Sequence, residues 1–72
     1  MVYTITVDVF EPRGPTPWFP VVTHVFRGRD RDEAMAHYRA QLVRDDYFRG
    51  AVMRGSWDDV ALTKRTTEGC AP

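Results

Sequence analysis

The chain has 72 residues, enough for one small domain, and its ten basic and ten acidic side chains cancel to a formal charge of zero. That balance argues against a general polyanion binder, and the single cysteine, Cys70, excludes a disulfide within the chain. No apolar run approaches membrane-spanning length and the first residues read as a strand, so the expectation is a cytoplasmic protein with a small core.

Residues 2 to 10, VYTITVDVF, alternate cleanly, with Tyr3, Ile5, Val7 and Val9 on one side and Thr4, Thr6 and Asp8 on the other. This predicts a half-buried strand of an antiparallel sheet. The following EPRGPTP is too rich in proline for strand or helix and predicts a stiff loop leading to Trp18 and Phe19. Residues 18 to 26, WFPVVTHVF, predict a second strand. Pro20 places it at a sheet edge, because proline cannot donate to a ladder.

Asp30 followed by Glu33 has the spacing of a capping box, and Ala34, Met35, Tyr38 and Leu42 then recur at helical period. The main helix is predicted there. A short second helix follows, capped by Asp45 or Asp46 and carrying Tyr47, Phe48, Ala51 and Val52. A third strand, with weaker alternation, is predicted from Trp57 to Arg65. The fold class is therefore α+β, β-β-α-β, with a three-stranded, mainly antiparallel sheet, the first strand central and one face covered by the main helix. The compact domain is expected over residues 1–66, with 67–72 a disordered tail. The predicted core is Ile5, Val7, Val9, Val22, Ala34, Tyr38, Leu42, Phe48, Val52 and Leu62.

Four Arg-Gly pairs punctuate the chain, two of them in YFRGAVMRGSW. Arginine-glycine segments that bind RNA are dense and disordered, whereas these are scattered among ordered elements. Gly14, Gly28 and Gly55 fall where the chain must turn, and Gly50 has no such explanation from sequence.

The donors available for a metal, His24, His37 and Cys70, form no recognised ligand spacing, so no metal or cofactor is expected. His24 is read as a residue of the solvated strand face. Ser56 is the only serine, and the adjacent pairs Asp45-Asp46 and Asp58-Asp59 point apart along any regular element. With no phosphate loop or dinucleotide fingerprint either, an enzyme is not expected.

Nine of the ten basic residues are arginine, and nine residues are aromatic. A GC-rich genome would give the same arginine excess, but arginine, tyrosine and tryptophan are also the side chains that carry protein interfaces. The expected partner-binding residues are Trp18, Phe19, Arg27, Arg29 and Trp57, contacting a host protein or a second copy of the chain. The alternative is a nucleic-acid-binding module using Arg27, Arg29 and Arg31 at the strand–helix junction, extended by Arg13, Arg49 and Arg54. Phe26, Tyr47, Phe48 or Trp57 would then stack bases. Against it, Asp30, Asp32, Glu33, Asp45 and Asp46 are interleaved with those arginines.

Residues 24 to 60 resemble short reading frames of unknown function in phages and prophages of GC-rich bacteria. The likeness rests on His24, Phe26, Gly28, Glu33-Ala34, Tyr38, Ala40, Asp46, Phe48, and Gly55 before Trp57 and Val60. It implies a small accessory protein that binds and modulates or inhibits a host protein, and it transfers no functional residues.

Overall fold

The computed structural model describes residues 1–71, with the side chain of Ala71 excluded. Three long strands form an antiparallel sheet in the order β2-β1-β5: β1 (Val2–Phe10), β2 (Val22–Gly28) and β5 (Thr63–Ala71). Two helices, α1 (Arg31–Arg44) and α2 (Asp46–Met53), cover one face of it, and a two-stranded hairpin, β3 (Ser56–Trp57) with β4 (Val60–Ala61), links α2 to β5. The predicted α+β architecture with a central first strand is the observed one.

The alternation of β1 sets the layers. Ile5, Val7 and Val9 are fully buried beneath the helices, and their register partners on β2, Phe26, His24 and Val22, share that face. Ala34, Phe48, Ala51 and Leu62 complete the buried core, with Tyr38, Leu42 and Val52 packed against it. Phe26 and Ala51 are the core residues absent from the sequence expectation. His24 belongs to this face too, not the solvated one: its ring lies 4.6 Å from that of Phe48. The β2 segment carries apolar residues on both faces, so its alternation does not say which is inward.

Each helix begins as the sequence prescribes. The Asp30 side chain accepts from the Glu33 N–H at 2.9 Å. The reciprocal bond is displaced by one residue, because Glu33 accepts from the Arg29 N–H and not from that of Asp30. Asp45 ends α1 and starts α2. Its own N–H donates to the Gln41 carbonyl, and its carboxylate accepts from the Phe48 N–H at 3.0 Å. The two helices therefore meet at a single residue.

Two glycines are there for closeness. A Cβ on Gly28 would lie 2.6 Å from the Ala34 nitrogen, because the first turn of α1 docks onto the end of β2. A Cβ on Gly50 would lie 2.9 Å from the Ser56 carbonyl oxygen, where the hairpin folds back on α2. Gly50 thus sits inside an uninterrupted helix and does not split it.

The C-terminal part departs from expectation. The segment from Trp57 to Arg65 is not one strand: Asp58 and Asp59, both at positive φ, make a two-residue turn between β3 and β4, and β5 starts only at Thr63. Nor is the chain a tail from residue 67. Thr67 to Ala71 continue β5, paired with β1 out to Val2; Pro72 lies outside the described residues. Every side chain from Thr63 to Cys70 is exposed, because α1 lies over β2 and β1 and touches β5 only through its first residue, Arg31, while α2 packs against β5 over a short stretch.

Candidate functional site

Topology gives the two ends of the sheet opposite characters. At the C-terminal end of β1 the chain makes two proline-led turns, closed by Gly14 N–H to Glu11 O at 3.0 Å and Phe19 N–H to Thr16 O at 3.1 Å. Pro17 takes the second position of the latter turn, where its fixed φ suits it, and Trp18 is held at the tip. The N–H of Val21 then donates to Val9 O, returning the chain to the sheet. Trp18 is 74% and Phe19 65% exposed, and Val21 beside them is exposed as well.

The hairpin is at this same end, because Leu62 leads directly into Thr63, which pairs with Phe10. It contributes Val60, exposed, and Trp57, 36% exposed with its ring centre 5.6 Å from that of Tyr47. Met53 at the end of α2 is exposed nearby in the chain. Trp18, Phe19 and Trp57 thus occupy one end of the sheet.

Arg27 and Arg29 do not join them. Arg27 pairs in register with Thr4 at the far end of β2, and its side chain lies on the face without helices. The five strand steps from Val22 to Arg27 span roughly 17 Å. Arg29 donates through Nε to Glu33 Oε2 at 3.0 Å. The five expected contact residues therefore divide into an apolar group at one end and two arginines at the other, a separation that sequence spacing could not reveal.

The charged end is knitted to itself. Glu68 on β5 accepts from Arg31 Nε at 2.7 Å and from the Tyr3 hydroxyl, tying α1, β5 and β1 together. These bonds, led by the one from Arg31, hold the Glu68 carboxyl below its usual range. Glu33 is likewise lowered, first by the Arg29 N–H and then by its guanidinium. Arg49 is paired with Asp46. Of the arginines proposed to contact phosphate, Arg29, Arg31 and Arg49 are thus bound to carboxylates. Of the rings proposed to stack bases, Phe26 and Phe48 are buried. The pairing of Arg31 was not legible in sequence, since its acid partner is 37 residues away, whereas Phe48 already stands in the predicted core.

On the helix-free face lies the buried polar residue Asp8, 8% exposed. It accepts from Arg65 on β5 and from the Thr23 hydroxyl on β2, each at 2.8 Å, and these bonds hold its carboxyl below the ordinary value despite burial. The Arg65 guanidinium also lies 5.3 Å from the centre of the Phe10 ring.

Among the described residues no cavity opens, no three His, Cys, Asp or Glu side chains converge as a metal site, and no helix is long and apolar enough to cross a membrane. The chain matches no family model, no curated protein and no solved structure in the comparisons made.

Proposed function

We propose that this chain is a small, non-enzymatic protein-interaction module, a phage-type accessory protein that binds a host protein in the cytoplasm and modulates or inhibits it. The observation that carries the reading is the exposure of Trp18 and Phe19 on a turn fixed by Pro17 and two backbone hydrogen bonds. A tryptophan left in water on a floppy loop costs little and means little. One presented on a preformed turn loses less entropy when a partner covers it, which is how interface aromatics contribute binding energy. Trp57 and Val60 at the same end extend the apolar area available.

The arginine-based nucleic-acid reading is the weaker one, because carboxylates already occupy Arg29, Arg31 and Arg49. The experiment that tests both is capture from host lysate with and without nuclease and across a salt series, using the wild-type chain and W18A/F19A. A stoichiometric protein, retained after nuclease and lost with the double substitution, supports the interaction reading. Nucleic acid recovered by wild type and lost steeply with salt overturns it.

A further inference from the structure

We propose that the outer edge of β5 pairs with the same edge of a second copy of this chain, antiparallel, about a twofold axis through Thr66. The inference is independent of the apolar end and would stand if that reading failed.

The geometry begins with an unprotected edge. β5 is nine residues long, bonded to β1 on one side, and among the described residues no strand lies beside its other row of backbone N–H and C=O groups. Such edges are usually shortened, bulged, interrupted by proline or covered by a helix. Among residues 63–71 there is no proline, the pairing with β1 runs without a bulge, and α1 lies over the opposite side of the sheet.

Charge then selects the occupant and the register. A twofold axis perpendicular to the sheet sets each residue opposite one on the same face, so the axis passes through a residue that opposes itself. Lys64, Thr66 and Glu68 share the helix-side face, being in register with Val9, Val7 and Ile5. With the axis at Thr66, Lys64 of each copy opposes Glu68 of the other, giving two reciprocal ion pairs about a Thr66–Thr66 contact. On the other face Arg65 opposes Thr67, and Thr63 opposes Gly69. An axis through Lys64, Arg65 or Glu68 sets that charge against its own copy, which disfavours the pairing. At Thr67 the opposed pairs include no opposite charges. Thr66 is the register in which complementary charges meet.

Glu68 can serve both roles. Its Oε1 takes the bonds from Tyr3 and Arg31 within the chain, which leaves Oε2 for the lysine of the second copy. The outer β2 edge offers no such match: its one charged residue is Arg27.

The test is sedimentation velocity across a concentration series, under reducing conditions, on wild type, K64E, E68K and an equimolar mixture of the two variants. Wild type is expected to dimerise. K64E places Glu opposite Glu68, and E68K places Lys opposite Lys64, so each alone is expected to be monomeric. Their mixture restores both pairs and should return a dimer. A monomeric wild type, a K64E dimer as tight as wild type, or a mixture that stays monomeric overturns the proposal.

Because E68K also removes the tie to Arg31 and Tyr3, a cross-linking variant provides a second route. Thr66→Cys in a Cys70→Ser background is expected to form a disulfide-linked dimer rapidly on oxidation, since opposed residues lie about 5 Å apart. In wild type the two Cys70 side chains would be about 26 Å apart and should cross-link slowly. Faster cross-linking through Cys70 than through Cys at 66 would place the axis elsewhere and overturn the register.

Discussion

Asp8 and Arg65 meet at 2.8 Å across the two strands farthest apart in the chain, β1 and β5, and the contact lies on the face that no helix covers. Asp8 is buried on that face, and its second bond, from the Thr23 hydroxyl, reaches the third strand. One carboxylate thus fastens the whole width of the sheet.

Removing it should be costly out of proportion to its size. Asp8→Ala removes two hydrogen bonds, each worth about 0.5–1.5 kcal/mol, while the exposed Arg65 and Thr23 donors turn to water, so a loss of about 1–3 kcal/mol is expected. Urea unfolding of the variant against wild type reads this directly. A change under about 0.5 kcal/mol would show that the exposed guanidinium contributes nothing to the strand pairing.

Acid should unfold the protein by protonating four carboxylates. Asp8 is held low first by the Arg65 hydrogen bond, Glu33 by the Arg29 N–H, Asp45 by the Phe48 N–H and Glu68 by Arg31. Each folded value lies below its unfolded one, so the stabilisation is complete above the unfolded range and is lost as pH falls through the lowered values. The urea midpoint is expected to fall steeply below about pH 4.5. A midpoint level down to about pH 3 would mean that these bonds are not formed in solution.

Phe48 is the largest fully buried side chain, with His24, Phe26 and Tyr38 around it at 4.6 to 5.8 Å between ring centres. Phe48→Ala should cost about 3–5 kcal/mol, most of the stability of so small a domain. The expected observation is loss of the cooperative thermal transition. Trp18→Ala, by contrast, should change stability by less than about 0.5 kcal/mol, since its ring is largely in water.

Gly28→Ala should fail for want of space. The obstructing atom is the backbone nitrogen of Ala34, which cannot rotate away, so the helix must lift from the sheet. A loss of roughly 1–3 kcal/mol is expected from thermal melts, with Gly14→Ala, placed 3.2 Å or more from the Glu11 side chain, as the milder comparison.

These residues also show how far the sequence could be read. Ile5, Val7 and Val9 announce a strand because one side is buried, and Asp30 and Asp45 announce helices because capping chemistry is local. Alternation records burial, and β5 is buried on neither face, so TKRTTEGCA carries no period and its residues from Thr67 onward read as a tail. The hairpin turn escapes for another reason: Asp58-Asp59 fills a turn that ordinarily takes Asn-Gly. At the candidate site, the prolines of EPRGPTP make a stiff loop legible, but the sequence reads Trp18 and Phe19 into the second strand, which begins only at Val22 because Pro17 turns the chain first. The division of Trp57 from Arg27 and Arg29 was not legible, because it depends on which end of the sheet each loop reaches.

The pairing of Val2 with Ala71 carries a kinetic consequence. β1, β2 and α1 are neighbours in sequence and can collapse together early, whereas joining β5 to β1 closes nearly the whole chain into a loop and has the highest entropic barrier. Until it arrives, Ile5, Val7 and Val9 lie on a strand with one raw backbone edge. Refolding should therefore show a concentration-dependent loss to aggregates that slows as β5 docks, and the last element to join is the one that guards the first.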